Sequence, residues 1–82
     1  MARKAVALRY ETEDEAPKIT AKGAGQVAET ILRIARESGV HIEDNRLLSE
    51  ALMQFKVGDY VPQELYEIVA EILAFVYRLD LD

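Results

Sequence analysis

AVALRY at residues 5–10 and APKITAKGAG at residues 16–25 decide the reading of this chain. The first stretch is apolar and β-prone with charges at its ends, which is the pattern of a buried strand. Pro17 holds its predecessor in extended geometry and opens a second strand over Lys18–Lys22. There Ile19 and Ala21 face one way, and Lys18, Thr20 and Lys22 the other. A seven-residue, mostly acidic link, residues 11–17, joins the two strands. An antiparallel hairpin is expected, with a link longer than the tightest turns.

Working outward, Gly23-Ala24-Gly25 breaks the second strand and leads into a helix over about Ala24–Ser38. Val27, Ile31, Ile34 and Ala35 fall on one face of it, with Glu29, Arg33, Arg36 and Glu37 largely opposite; Glu29 and Arg33 form an i,i+4 pair. Gly39 is the expected left-handed residue past the helix end. Val40–Glu43 predicts a third strand, reached by a right-handed crossover. Asp44 or Asn45 caps a short helix over about Arg46–Phe55, with Leu48, Ala51, Leu52 and Phe55 inward. Pro62 suits the start of a last helix over 62–79. The expected fold is α/β (α+β-like): a small three-stranded sheet, hairpin plus βαβ crossover, packed by three helices in a single domain spanning residues 1–82.

Composition narrows the function. Half of the 82 residues are hydrophobic and 30% are charged, enough for one small core and unlike the low-hydrophobicity chains that stay disordered. A net charge of −5 argues against a nucleic-acid partner. Arg3, Lys4, Arg9 and Lys18 are the one place where a basic stripe could gather. The absence of cysteine excludes disulfides and thiolate metal sites. The longest apolar run, Ile72–Tyr77, is far short of the ~20 residues a membrane span needs, so no direct membrane insertion is expected.

Four constellations bear on chemistry. Gly23-x-Gly25 stands where a phosphate cradle would, but position 28 is Ala28, and a tight strand-to-helix turn accounts for the glycines. His41 would look for metal-binding partners to Glu43, Asp44 and the Glu13-Asp14-Glu15 run; a surface histidine beside acids is expected, and no metal. Ser38 and Ser49 lack a supporting His-Asp pair, so no catalytic residue is expected. The last helix carries the stronger signal. Leu65, Ile68, Val69, Ile72, Val76 and Leu79 form one apolar stripe, and Tyr66, Ala70, Leu73 and Tyr77 a second. One stripe suffices for a helix lying on a sheet. The surplus is either covered by the other helices or left as a patch for a partner.

AVALRY, APK and the closing VAEILAFVYRL (69–79), together with the rest of Ala5–Leu79, resemble the cytoplasmic domain of the FlhB family, the switch component of the flagellar type III export gate. In that family the AVAL-K/R-Y stretch follows an Asn-Pro-Thr-His tetrad cut by the protein itself. Here Met1, Ala2 and Arg3 stand at the Pro, Thr and His positions, and Lys4 where an aromatic is usual. The resemblance therefore implies a stand-alone FlhB-like domain without self-cleavage, lacking the family's first strand, which leaves a bare sheet edge or one that borrows a strand. Such domains are thought able to replace the cut C-terminal piece of the full protein. It implies no cofactor and a cytoplasmic place, peripheral at the export gate. The implied partners are rod- and hook-type export substrates, export-gate membrane proteins and the upstream part of a full-length FlhB. It also implies a shallow substrate-binding patch at Ala16, Pro17, Ala70 and Leu73, two of which lie on the surplus stripe. The alternatives are a small nucleotide-binding regulator built on Gly23-Ala24-Gly25 and a self-associating module.

Overall fold

The computed structural model describes residues 3–11, 13 and 15–81, with side chains through Ile72. Its elements run β1 (Lys4–Arg9), β2 (Lys18–Ala24), α1 (Gln26–Glu37), α2 (Arg46–Leu52) and α3 (Gln63–Leu81). The fold class is mixed α/β, with α1 on one face of a small sheet and α2 and α3 on the other.

β1 and β2 pair antiparallel, as their sequences require. The partners are Lys4 with Ala24, Ala5 with Gly23, Val6 with Lys22 and Ala7 with Ala21. The register then slips, so that Leu8 faces Ile19 and Thr20 is left over as a bulge. This corrects the expected alternation. Paired residues share a face, so the bulge turns Ala21 towards one side and Ile19 towards the other. Lys22, expected outward, points into the α2 layer instead, where its Nζ donates to the carbonyls of Met53 (2.8 Å) and Phe55.

Small residues make the α1 face of the sheet: Ala5, Ala7, Ala21 and Gly23. The helix approaches closely there, with Ala28 fully buried. A Cβ on Gly23 would lie 2.1 Å from Val27 Cγ1, so only glycine admits that approach. The inward stripe is thus Ala28, Ile31, Leu32 and Ala35. Val27 and Ile34, expected inward, are 54% and 51% exposed. Glu29 pairs with Arg3 and Arg33 with Glu37, rather than with each other. Gly39 does adopt the left-handed conformation (φ 72°), and Asn45 is the residue that caps α2, its Oδ1 accepting from the Leu48 amide at 3.0 Å.

The opposite face carries the core. Ile19, Leu48, Leu52, Val61 and Val69 are buried together, with Val6, Leu8, Phe55, Leu65 and Ile72 packed around them. Ile68, assigned to the same stripe, is 44% exposed at its rim.

One expected element is not formed. Among the described residues the sheet has two strands, and Val40–Glu43 is a connection without strand pairing. Its amide at Val40 donates to the Ala35 carbonyl at the end of α1. Val40 and Ile42 remain exposed at 58% and 39%. The sequence is that of a strand, but it and β1 line one cavity without pairing. A ladder needs a neighbour, and none stands there.

Candidate functional site

The two outer edges of the sheet are treated differently. On β2, the segment 58–61 lies along the strand. Ile19 donates to the Asp59 carbonyl (2.8 Å) and accepts from the Gly58 amide (2.7 Å), while Val61 donates to Pro17 (2.8 Å). Gly58, at φ 97°, and the Asp59 carboxylate, accepting from the Lys56 amide at 3.0 Å, shape the turn that brings this segment in.

β1 has no such cover. The Arg3 carbonyl accepts from Gly25 in β2 at 2.7 Å. Main-chain direction alternates along a strand, so Ala5 and Ala7 also address β2, whereas Lys4, Val6 and Leu8 address the other side. Among the described residues, nothing pairs with the main chain of Lys4, Val6 or Leu8 on that side.

This edge opens into a cavity of about 320 Å³. Its floor is β1 from Lys4 to Leu8. Ile31, Leu32 and Ala35 of α1 form one wall; Leu48 and Leu52 of α2, with Val69 and Ile72 of α3, form the other. Val40–Glu43 closes the far side. The lining is mostly apolar, and its polar side chains are engaged within the chain. Asn45 caps α2, Ser49 Oγ donates to the Asn45 carbonyl (2.9 Å), Lys4 pairs with Glu50 (3.7 Å), and His41 Nε2 lies 3.3 Å from Glu43.

The candidate patch residues fall elsewhere. Ala16 is half-buried at the approach to β2, and Ala70 is half-buried on α3. Pro17 is fully enclosed, so it supports the surface beneath Ala16 and does not itself form part of it. The Leu73 side chain lies outside the described residues, as do those of Val76, Tyr77 and Leu79. Ala16, Pro17 and Ala70 do not line the slot along β1; a bare sheet edge is what the resemblance to the family implies.

The basic stripe is not a free one. Arg3 pairs with Glu29, Lys4 with Glu50 and Arg9 with Glu11, and Lys18 lies 5.1 Å over the Tyr60 ring. Gly23 is accounted for by its contact with α1. Among the described residues no group of three or more His, Asp and Glu gathers as a metal site, and no helix is long and apolar enough to cross a membrane.

Comparison with known proteins gives a consistent answer. Residues 2–76 match the model of the FlhB HrpN YscU SpaS family. The chain is 48% identical over 79 residues to the uncharacterized protein YlqH of Bacillus subtilis, covering 95% of this chain and 85% of that one. It is 44% identical over 77 residues to the flagellar biosynthetic protein FlhB of Borreliella burgdorferi, covering 92% of this chain but only 21% of that one. Among solved structures, the cytoplasmic domain of FlhB from Shewanella putrefaciens superposes with a TM-score of 0.87 at 32% identity, over 96% of this chain and 68% of that one.

Proposed function

The chain belongs to the FlhB HrpN YscU SpaS family, and we propose that it works in the cytoplasm as a component of the flagellar type III export apparatus, standing in for the C-terminal part of FlhB. The observation that carries this reading is the likeness to FlhB proteins along nearly the whole chain, at 44% identity over 77 residues to one of them. Because the chain spans about a fifth of that protein's length, what the longer protein does as a whole is carried over as part of the proposal.

The protein acts by offering surfaces and performs no bond chemistry. Met1 stands where the resemblance puts the Pro of the family's scissile bond, so an Asn-Pro bond has no counterpart at that position. It docks without covalent linkage on the export-gate membrane proteins. It receives rod- and hook-type substrates at the patch around Ala16, Ala70 and Leu73, with Pro17 beneath. A small apolar contact suits a gate that must release many different substrates, since stable complexes bury far more, about 1,600 Å² in total.

The test is a pull-down with the membrane-anchored upstream fragment of an FlhB-type protein, repeated with rod and hook substrates. Leu73→Asp is expected to abolish substrate capture while leaving the circular dichroism spectrum unchanged. Loss of the folded spectrum would make Leu73 a core residue and remove it from the patch. Failure of the wild-type chain to retain the fragment would overturn the proposed docking.

A further inference from the structure

We propose that Val57 and Tyr60, with Lys18 and Lys56 beside them, extend the substrate patch from Ala16 along the covered edge of β2. The extension takes a segment of the export substrate that carries a carboxylate next to an apolar side chain. The inference deepens the proposed substrate binding and rests on it.

Residues 56–60 are all exposed, yet this short turn carries two large apolar side chains, Val57 at 55% and Tyr60 at 51% exposure. A single exposed apolar residue means little, whereas neighbours in one segment make a surface. The segment is also firmly held. Lys18 and Tyr60 form an antiparallel bridge. On either side of Tyr60, the Asp59 carbonyl accepts from Ile19 and the Val61 amide donates to Pro17, both at 2.8 Å. Ile19 points into the core and side chains alternate along a strand, so Lys18 and its facing partner Tyr60 point away from it. A tyrosine on a fixed backbone has few rotamers to lose and serves as an anchor at low entropic cost. The Val61–Pro17 bond sets the same segment against the residue that follows Ala16, which makes the two surfaces continuous.

Charge selects the occupant. The chain carries a net charge of −5, and most of its described bases are matched. Arg3, Lys4, Arg9, Arg33 and Arg46 have carboxylate partners, and Lys22 holds two carbonyls. Apart from Arg36 on α1, the described bases without a carboxylate partner are Lys18 and Lys56. Lys18 lies 5.1 Å over the Tyr60 ring, which attracts the ammonium without neutralising it. Lys56 gives Asp59 only its main-chain amide. A carboxylate of the substrate would therefore meet two uncompensated cations, while the side chain next to it lies on Tyr60 and Val57. A lysine- or arginine-rich segment is repelled by the same two ammonium groups.

The experiment measures, by biolayer interferometry, the affinity of the intact chain for a purified hook-type export substrate. Tyr60→Ala is expected to weaken binding about tenfold. Tyr60→Phe should retain it, since the ring is the contact. Lys18→Met should weaken binding and flatten its dependence on salt, and Lys18→Glu should weaken it further. Neither side chain is buried, so melting temperatures should stay near that of the wild type. If Tyr60→Ala melts early, Lys56→Glu decides in its place: weaker binding supports the extension and unchanged binding overturns it. Wild-type affinity in Tyr60→Ala and Lys18→Glu, with capture still lost in Leu73→Asp, would overturn the extension and leave the patch standing. Tighter binding by Lys18→Glu would overturn the acidic occupant. No binding by the wild-type chain would remove the substrate reading itself, and this inference with it.

Discussion

The two edges of one two-stranded sheet have opposite fates. At β2, the Gly58 turn lays residues 58–61 against the strand, and the Ile19 amide and carbonyl are both satisfied by it. At β1, the Val6 and Leu8 main chains face a cavity of about 320 Å³ walled by helices. An exposed strand edge is a template for further pairing, and proteins usually blunt it. Here one edge is closed by the chain itself while the other is recessed and left open. A recessed edge rejects another folded sheet but admits a bare strand. The closed edge belongs to stability, and the open one has no ladder partner among the described residues.

Substitutions should separate the two. The largest effect belongs to the closed side. Ile19 is fully buried, and Ile19→Ala should cost about 2–5 kcal/mol, enough in a domain of this size to leave much of it unfolded, as a urea titration would register. On β1, adjacent prolines should behave unequally. Ala7→Pro removes a donor to β2 and should lower the melting temperature by well over ~10 °C, whereas Val6→Pro removes an unpaired donor and should be far milder. Equal damage from both would mean that the two sides of β1 are not distinct.

Lys22→Met sharpens the contrast from the α2 side. It deletes the ammonium that holds the Met53 and Phe55 carbonyls at the end of α2, and should cost about 1.5–3 kcal/mol. Asn45→Ala removes the α2 cap and should cost about 1 kcal/mol, with Asn45→Asp close to neutral. The smallest effect is expected of Glu50→Gln. Its pairs with Lys4 and Arg46 are well exposed, so chemical denaturation should shift by no more than about 0.5 kcal/mol.

Local signals were legible and remote ones were not. AVALRY and the Pro17-led second strand announced the hairpin, Gly39 announced the end of α1, and Asn45 was one of two named caps. Each of these is decided within a few residues. Strand alternation alone turns Lys22 to solvent, since its acceptors lie 31 and 33 residues away in sequence. The Thr20 bulge carries no residue signature, and it reversed the facing of Ala21. Val27 and Ile34 share the helical period with the inward stripe of α1. What rotates them outward is the run of alanines and Gly23 on the sheet, which draws Ala28 to the contact instead. The third strand failed for another reason: pairing is a property of two segments, and Val40–Glu43 faces a gap. Of the candidate patch, Pro17 proved to be interior, because the same proline that starts β2 is also an anchor for residue 61.

The account turns on whether the two sides of β1 differ as the ladder has them, which native-state amide exchange reads directly. In the free chain, the Ala5 and Ala7 amides should exchange slowly and those of Val6 and Leu8 fast. Uniform protection along β1 would contradict it.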